Sequence, residues 1–99
     1  MIAPANSEIS RQMILDAKSG DGLALQLLLQ RVAPLLKKQL HGRIPAKWAS
    51  LVTIEDLLQD TFVKAVDNIA GLRSDEPAAF VAWIKQIAES ELATVLRRA

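Results

Sequence analysis

At 99 residues the chain has room for one domain, whose folding would bury roughly 60–70% of the unfolded surface. It has no cysteine, which excludes a disulfide framework and thiolate chemistry and is compatible with a reducing compartment. The formal net charge of +1 conceals an asymmetry. Residues 1–52 carry seven Lys/Arg against three acids, residues 53–99 carry five against eight, and no acid occurs from Gly22 to Ile54. That basic block suits a polyanion, and it equally suits cations that merely flank an apolar helix.

Met1–Asn6 has no periodicity and is expected to be a loose terminus. Ser7 is the expected cap of a first helix, Ser7–Lys18, with Ile9, Met13, Ile14 and Ala17 as its apolar stripe and Gly20 as its stop. A second, leucine-rich helix is predicted over Leu23–Leu40. Leu23, Leu27, Leu28, Val32, Leu35, Leu36 and Leu40 form its stripe, widened by Leu25 and Leu29. Pro34 lies inside it and is expected to kink or break it. His41-Gly42 ends the segment. Around Pro45 the pattern is irregular, and Trp48, Leu51 and Val52 suggest a short turn packed back on the core.

The strongest pattern is TIEDLLQDTFVKAVDNI, Thr53–Ile69. Ile54, Leu57, Leu58, Thr61, Phe62, Ala65, Val66 and Ile69 recur at spacings of three and four, which predicts a helix with one continuous apolar stripe. Thr53 is the expected cap, Glu55 and Asp56 suit the positive end of the dipole, and Gly71 marks the stop. Asp56, Gln59, Asp60 and Lys64 form a polar ridge opposite the stripe, either a solvated face or a docking ridge for a basic partner. A polar loop, Ala70–Glu76, follows and is expected to be the most mobile interior segment. Asp75 or Ser74 can cap a last helix, Pro77–Arg98, whose core stripe is Phe80, Ile84, Ile87, Ala88, Leu92 and Val95, broadened by Trp83, Glu91 and Leu96. No segment has a strand period, so the expected class is all-α, a small bundle of four main helices. The helical pattern still runs at Leu96–Ala99 without a stop, as expected of a segment of a longer chain.

No Gly-rich phosphate loop, metal-ligand spacing or nucleophile–base pair occurs, and the lone His41 lacks a partner, so neither catalysis nor a cofactor or metal is expected. Glu55, Asp56 and Asp60 on one helix offer few ligands for a cation. The longest apolar-rich segment, Leu23–Leu36, contains Gln26, Gln30 and Arg31, too polar for a membrane span, and the N-terminus has no secretory pattern. A cytoplasmic protein is expected.

Two runs carry a family resemblance. EDLLQDTF, Glu55–Phe62, followed by Lys64-Ala65, and FVAWIKQIA, Phe80–Ala88, ending in Leu96-Arg97-Arg98, resemble region 2 of bacterial RNA polymerase sigma factors of the extracytoplasmic-function group. SGDGLALQLLLQRVAPLLKK, with Pro34, is similar to that family's arginine- and proline-containing helix, so the resemblance covers about Ile9–Arg98. It implies a domain of transcription initiation that acts by binding. By that resemblance Asp56, Leu57, Gln59, Asp60 and Phe62 dock on a coiled coil of the core polymerase β′ subunit, and an anti-sigma factor is a further partner. The loop Gly71–Glu76 and the last helix would hold the melted non-template strand of the promoter −10 element, a flipped base entering the loop. Arg73, Ser74, Trp83, Lys85, Arg97 and Arg98 supply cations, a hydroxyl and a stacking face for it. The family's further helix-turn-helix domain, region 4, is not in this sequence.

The chain departs from the family pattern at Glu89-Ser90, where Arg-Asn is usual, and at Glu91, where an apolar residue is usual. Carboxylates near a DNA path repel phosphate, and Glu89 is expected to pair with Lys85 four residues before it, so weak DNA binding by the isolated domain is expected. The alternative function is a helical protein-interaction module without DNA binding.

Overall fold

A computed structural model describes residues 9–98. They form four α-helices in chain order: α1 Arg11–Lys18, α2 Gly22–His41, α3 Ile54–Asn68 and α4 Pro77–Arg98. Single 3-10 turns, Ala46–Trp48 and Ile69–Gly71, sit in the connections before and after α3, and no strand occurs among the described residues. The all-α expectation with four main helices holds. Met1–Asn6 and the expected cap Ser7 lie outside the described residues. Instead Ser10 caps α1, its Oγ accepting from the Met13 amide at 3.1 Å.

The turn between α1 and α2 joins a stop read from the sequence, Gly20, to a cap that was not, Asp21. Gly20 sits at φ 104°, a conformation that costs other residues strain, so it can terminate α1. Its amide donates to the Ala17 carbonyl and the Asp21 amide to the Asp16 carbonyl, closing the end of the helix. Asp21 then caps α2, its Oδ1 accepting from the amides of Leu23 and Ala24 at 3.0 and 3.2 Å.

α2 runs through Pro34 as one element, so the expected break does not occur. Pro34 and Gln30 are both exposed, which lets water satisfy the carbonyl that loses its amide donor. The buried face of α2 is Ala24, Leu25, Leu28, Leu29, Val32, Leu36 and Leu40. Leu23 and Leu27, assigned to the core by their spacing, are 74% and 43% exposed. Leucines occupy nearly the whole circumference of this helix, so spacing alone could not single out the covered face. Beyond α2, Trp48 is half-buried against the core and its carbonyl accepts from the amides of Leu51 and Val52, which folds the segment back with Val52 buried, while Leu51, expected to pack with them, is 70% exposed.

α3 lies against α2 on one side and α4 on the other, while α1 packs on α2 and on the 3-10 turn Ile69–Gly71. Leu57, Leu58, Thr61 and Ala65 are the buried residues of α3. Thr61 is fully buried, and its hydroxyl donates to the Leu57 carbonyl at 2.7 Å, so no polar atom is stranded there. Phe62 is half-buried and Val66 is 54% exposed, so the covered stripe is narrower than the sequence pattern implied. On α4 the buried residues are Phe80, Val81, Ile84, Ala88 and Leu92. Ile87, Trp83, Val95 and Leu96 are half-buried.

These burials separate two positions on the same helix. Leu58→Ala opens a cavity at a 6%-exposed site between α2 and α3 and is expected to cost about 2–5 kcal/mol. Val66→Ala removes atoms that already face water, with an expected effect within about 0.5 kcal/mol. Urea denaturation followed by circular dichroism measures both, and equal losses would show that the covered face of α3 is misassigned.

Candidate functional site

The outward half of α3 is the most chemically distinctive surface. Thr53 accepts from the Asp56 amide at 3.1 Å and so fixes the first turn. Asp56, Gln59 and Asp60 are exposed and border a shallow cavity of about 270 Å³ with Leu51, Val52 and Val95. Asp56 and Asp60 stand one turn apart on the same side of the helix. Toward α2, Gln59, Phe62, Val63 and Val66 line a groove of about 580 Å³ with Leu58, Ala33 and Lys37. Its walls are mainly apolar, while Glu55, Lys37 and Asp67 stand at its margins. The outer face is therefore not the purely polar ridge inferred from the sequence. Val63 and Val66, each 54% exposed, add an apolar strip to it.

All five residues assigned to docking border this surface, but Leu57 differs from the others: it lines the shallow cavity with Asp56, Gln59 and Asp60 while being 1% exposed and part of the core cluster. Its side chain points inward in line with Thr61 and Ala65, four and eight residues on, which are buried on the same stripe. Spacing places Leu57 in the core and the family resemblance places it at the docking face; its burial bears out the first.

The residues assigned to nucleic acid divide among three places. Arg73 is exposed in the loop after the 3-10 turn, beside half-buried Ser74, whose Oγ accepts from the Glu76 amide at 3.0 Å. Trp83 and Arg98 line a groove between α3 and α4 of about 650 Å³, together with Asp60, Lys64, Asn68 and Glu91. The Trp83 ring lies 6.0 Å from that of Phe80 at an interplanar angle of 42°, so one side of the indole anchors to the core and the groove takes the rest. Arg97 is exposed, its Nη2 donating to Thr94 Oγ1 at 3.4 Å. Lys85 is not in this group. Two residues on from Trp83 it is turned by about 160° on the helix, and its carbonyl accepts from Gln39 of α2 at 3.3 Å.

Glu89 does not pair with Lys85. Its carboxylate accepts from Arg43 Nη1 at 2.6 Å and from Gln39 Nε2 at 3.1 Å, which ties α4 to the end of α2. A partner offered by the tertiary fold thus displaces the local four-residue pairing. The orientation of the Gln39 amide follows, since the reverse would set its oxygen against the Glu89 carboxylate. It leaves Gln39 Oε1 buried without a partner.

A second charge cluster was also missed in the sequence. Arg11 of α1 bonds the Glu76 carboxylate and approaches Asp75 Oδ1 at 3.6 Å. With Leu72 8% exposed, the loop expected to be the most mobile interior segment is anchored at both ends. No local motif announces either cluster, because their partners lie dozens of residues apart. The only signal was the opposite charge of the two halves of the chain.

Among the described residues, no three His, Asp or Glu converge on a possible metal position, and no helix is long and apolar enough to cross a membrane. What the surface offers is recognition: an acidic and apolar helix face on one side, and an indole with cations on the other. The sequence model of the Sigma-70 region 2 family matches residues 28–99, well over half of the chain, and the chain belongs to that family. It is accordingly a sigma-factor domain, of a family that serves transcription initiation by binding RNA polymerase core and promoter DNA and not by catalysis. No curated protein and no solved structure gives a significant match.

The Arg43–Glu89 pair is half-exposed and therefore screened, at 56% and 35% side-chain exposure. A double-mutant cycle with Arg43→Ala and Glu89→Ala is expected to give a coupling of about 0.5–1 kcal/mol in chemical denaturation. The matching cycle with Lys85→Ala and Glu89→Ala should give none. Coupling confined to the Lys85 cycle would contradict the arrangement seen here.

Proposed function

We propose that this chain is the polymerase-binding, −10-recognising domain of an alternative sigma factor of the extracytoplasmic-function group, acting in the cytoplasm. The observation that carries the reading is the outer face of α3, where Asp56, Gln59 and Asp60 stand exposed beside Phe62, Val63 and the apolar groove toward α2. Such a face suits a partner that brings both basic and apolar side chains, and the family resemblance points to the β′ coiled coil as that partner. Opposed charge steers the encounter and fixes its register, while the apolar strip gains from burial. On the other side of α3, the groove with Trp83, Lys64 and Arg98, and Arg73 in the loop, provide stacking and phosphate contacts for a melted strand. Asp60 and Glu91 also line that groove and oppose phosphate, which supports weak strand binding unless polymerase holds the strand in place.

A protein-interaction module without DNA binding is the second reading. The position of Lys85 on the far flank of α4 favours it, since one expected cation contact is thereby lost to the groove. Pull-down of core polymerase, with and without a labelled single strand, separates the two readings.

Asp60→Arg tests the docking face directly. Reversing an interfacial charge is expected to weaken binding to core polymerase by about 2 kcal/mol or more. Its circular dichroism should stay that of the wild type, because Asp60 is exposed. Undiminished binding by the folded variant would refute the docking role of this face.

A further inference from the structure

We propose that Arg11 is a positioning residue for the loop 72–76: it latches the loop to α1 and thereby sets how well the loop receives a single strand. The inference rests on reading this loop as part of the strand-binding surface, and adds to it the device that holds the loop in shape.

Three observations carry it. Arg11 is the first residue of α1, and its guanidinium meets both Asp75 and Glu76 at the entry to α4. A planar fork with several donors can hold two carboxylates at once, which a lysine ammonium does less well. Next, α1 is seated against the other end of the same segment. It packs on the 3-10 turn Ile69–Gly71, and Ile9, Ile14, Ile69 and Leu72 all join the buried core. The loop is thus held at its start by apolar burial and at its finish by charge. Finally, the span between these anchors displays Arg73, which is exposed. Although α1 lies outside the residues matched to the family, it is the element that closes the loop from below.

Two consequences follow for a bound strand. A loop already ordered loses less conformational entropy when it closes on a ligand. In addition, Asp75 and Glu76 would repel a phosphate chain passing Arg73, and Arg11 offsets that charge. The pairs are largely exposed, so the effect is modest and must weaken with salt.

The test uses the whole chain and two readouts. Hydrogen exchange reports on the amides of Leu72, bonded to the Ile69 carbonyl, and Glu76, bonded to Ser74 Oγ. Fluorescence anisotropy at low salt reports binding of a short labelled DNA strand of randomised sequence. Arg11→Ala is expected to raise exchange at these amides by about two- to fivefold and to weaken strand binding by a similar factor, with the melting temperature nearly unchanged. Arg11→Glu combined with Glu76→Arg keeps the wild-type net charge and should restore both readouts, which separates latching from a direct phosphate contact by Arg11. High salt should remove the difference between Arg11→Ala and wild type. Unchanged loop exchange in Arg11→Ala overturns the latch. Raised exchange with unaltered strand binding overturns the positioning role, provided Arg73→Ala weakens binding. If Arg73→Ala is also silent, the strand-binding reading of the loop is what fails, and this inference falls with it.

Discussion

The architecture depends on how little of α3 is covered. Only Leu57, Leu58, Thr61 and Ala65 are buried on it, and two of those four are small. Small side chains let α2 and α4 approach closely without enclosing the helix. Thr61 can take such a place because its hydroxyl returns to the helix backbone. Apart from half-buried Ile54 and Phe62, the rest of α3 faces water between two longer neighbours, and that position creates the grooves on either flank. A wider apolar stripe would have stabilised the bundle further and removed the surface by which it can recognise a partner.

Charge supplies a second layer of order. The ion pairs found among the described residues join Arg11 to Asp75 and Glu76, and Arg43 to Glu89. Every one runs from the basic first half of the chain to the acidic second half. The imbalance between halves is in part spent on tertiary cohesion, and cations such as Lys47, stacked 5.4 Å over the Trp48 ring, are held by local contacts. Asp56 and Asp60 on the outer face of α3 take part in none of these ion pairs.

Much of the fold was legible because its signals are local. Thr53, Gly20 and Pro77 each act within one turn of chain, and each marks the boundary where its chemistry predicts. The stripes of α3 and α4 were legible to the extent that apolar residues keep to one side. Where leucine surrounds the helix, as in α2, periodicity could not separate Leu23 and Leu27 from the covered residues. Of the kink or break expected at Pro34 the break does not occur, since water can reach the carbonyl left without a donor. For the candidate site, residue types were readable and their grouping was not. Trp83 and Lys85 are two residues apart and end on opposite flanks, while Glu89 finds Arg43, which no window of sequence connects.

The junction at residues 19–21 has a consequence for how the molecule assembles. One residue closes α1 and the next opens α2, and all of the hydrogen bonds involved span five residues or fewer. Contacts of such short range carry little loop-closure entropy, so the α1–α2 hairpin is the part of the chain whose pairing is least costly to begin. The attachments of α1 to the loop before α4 connect positions dozens of residues apart and must wait for the rest of the chain. The same short helix is thus early in its bonds to α2 and late in its bonds to the loop, so completion of the bundle is recorded at Arg11.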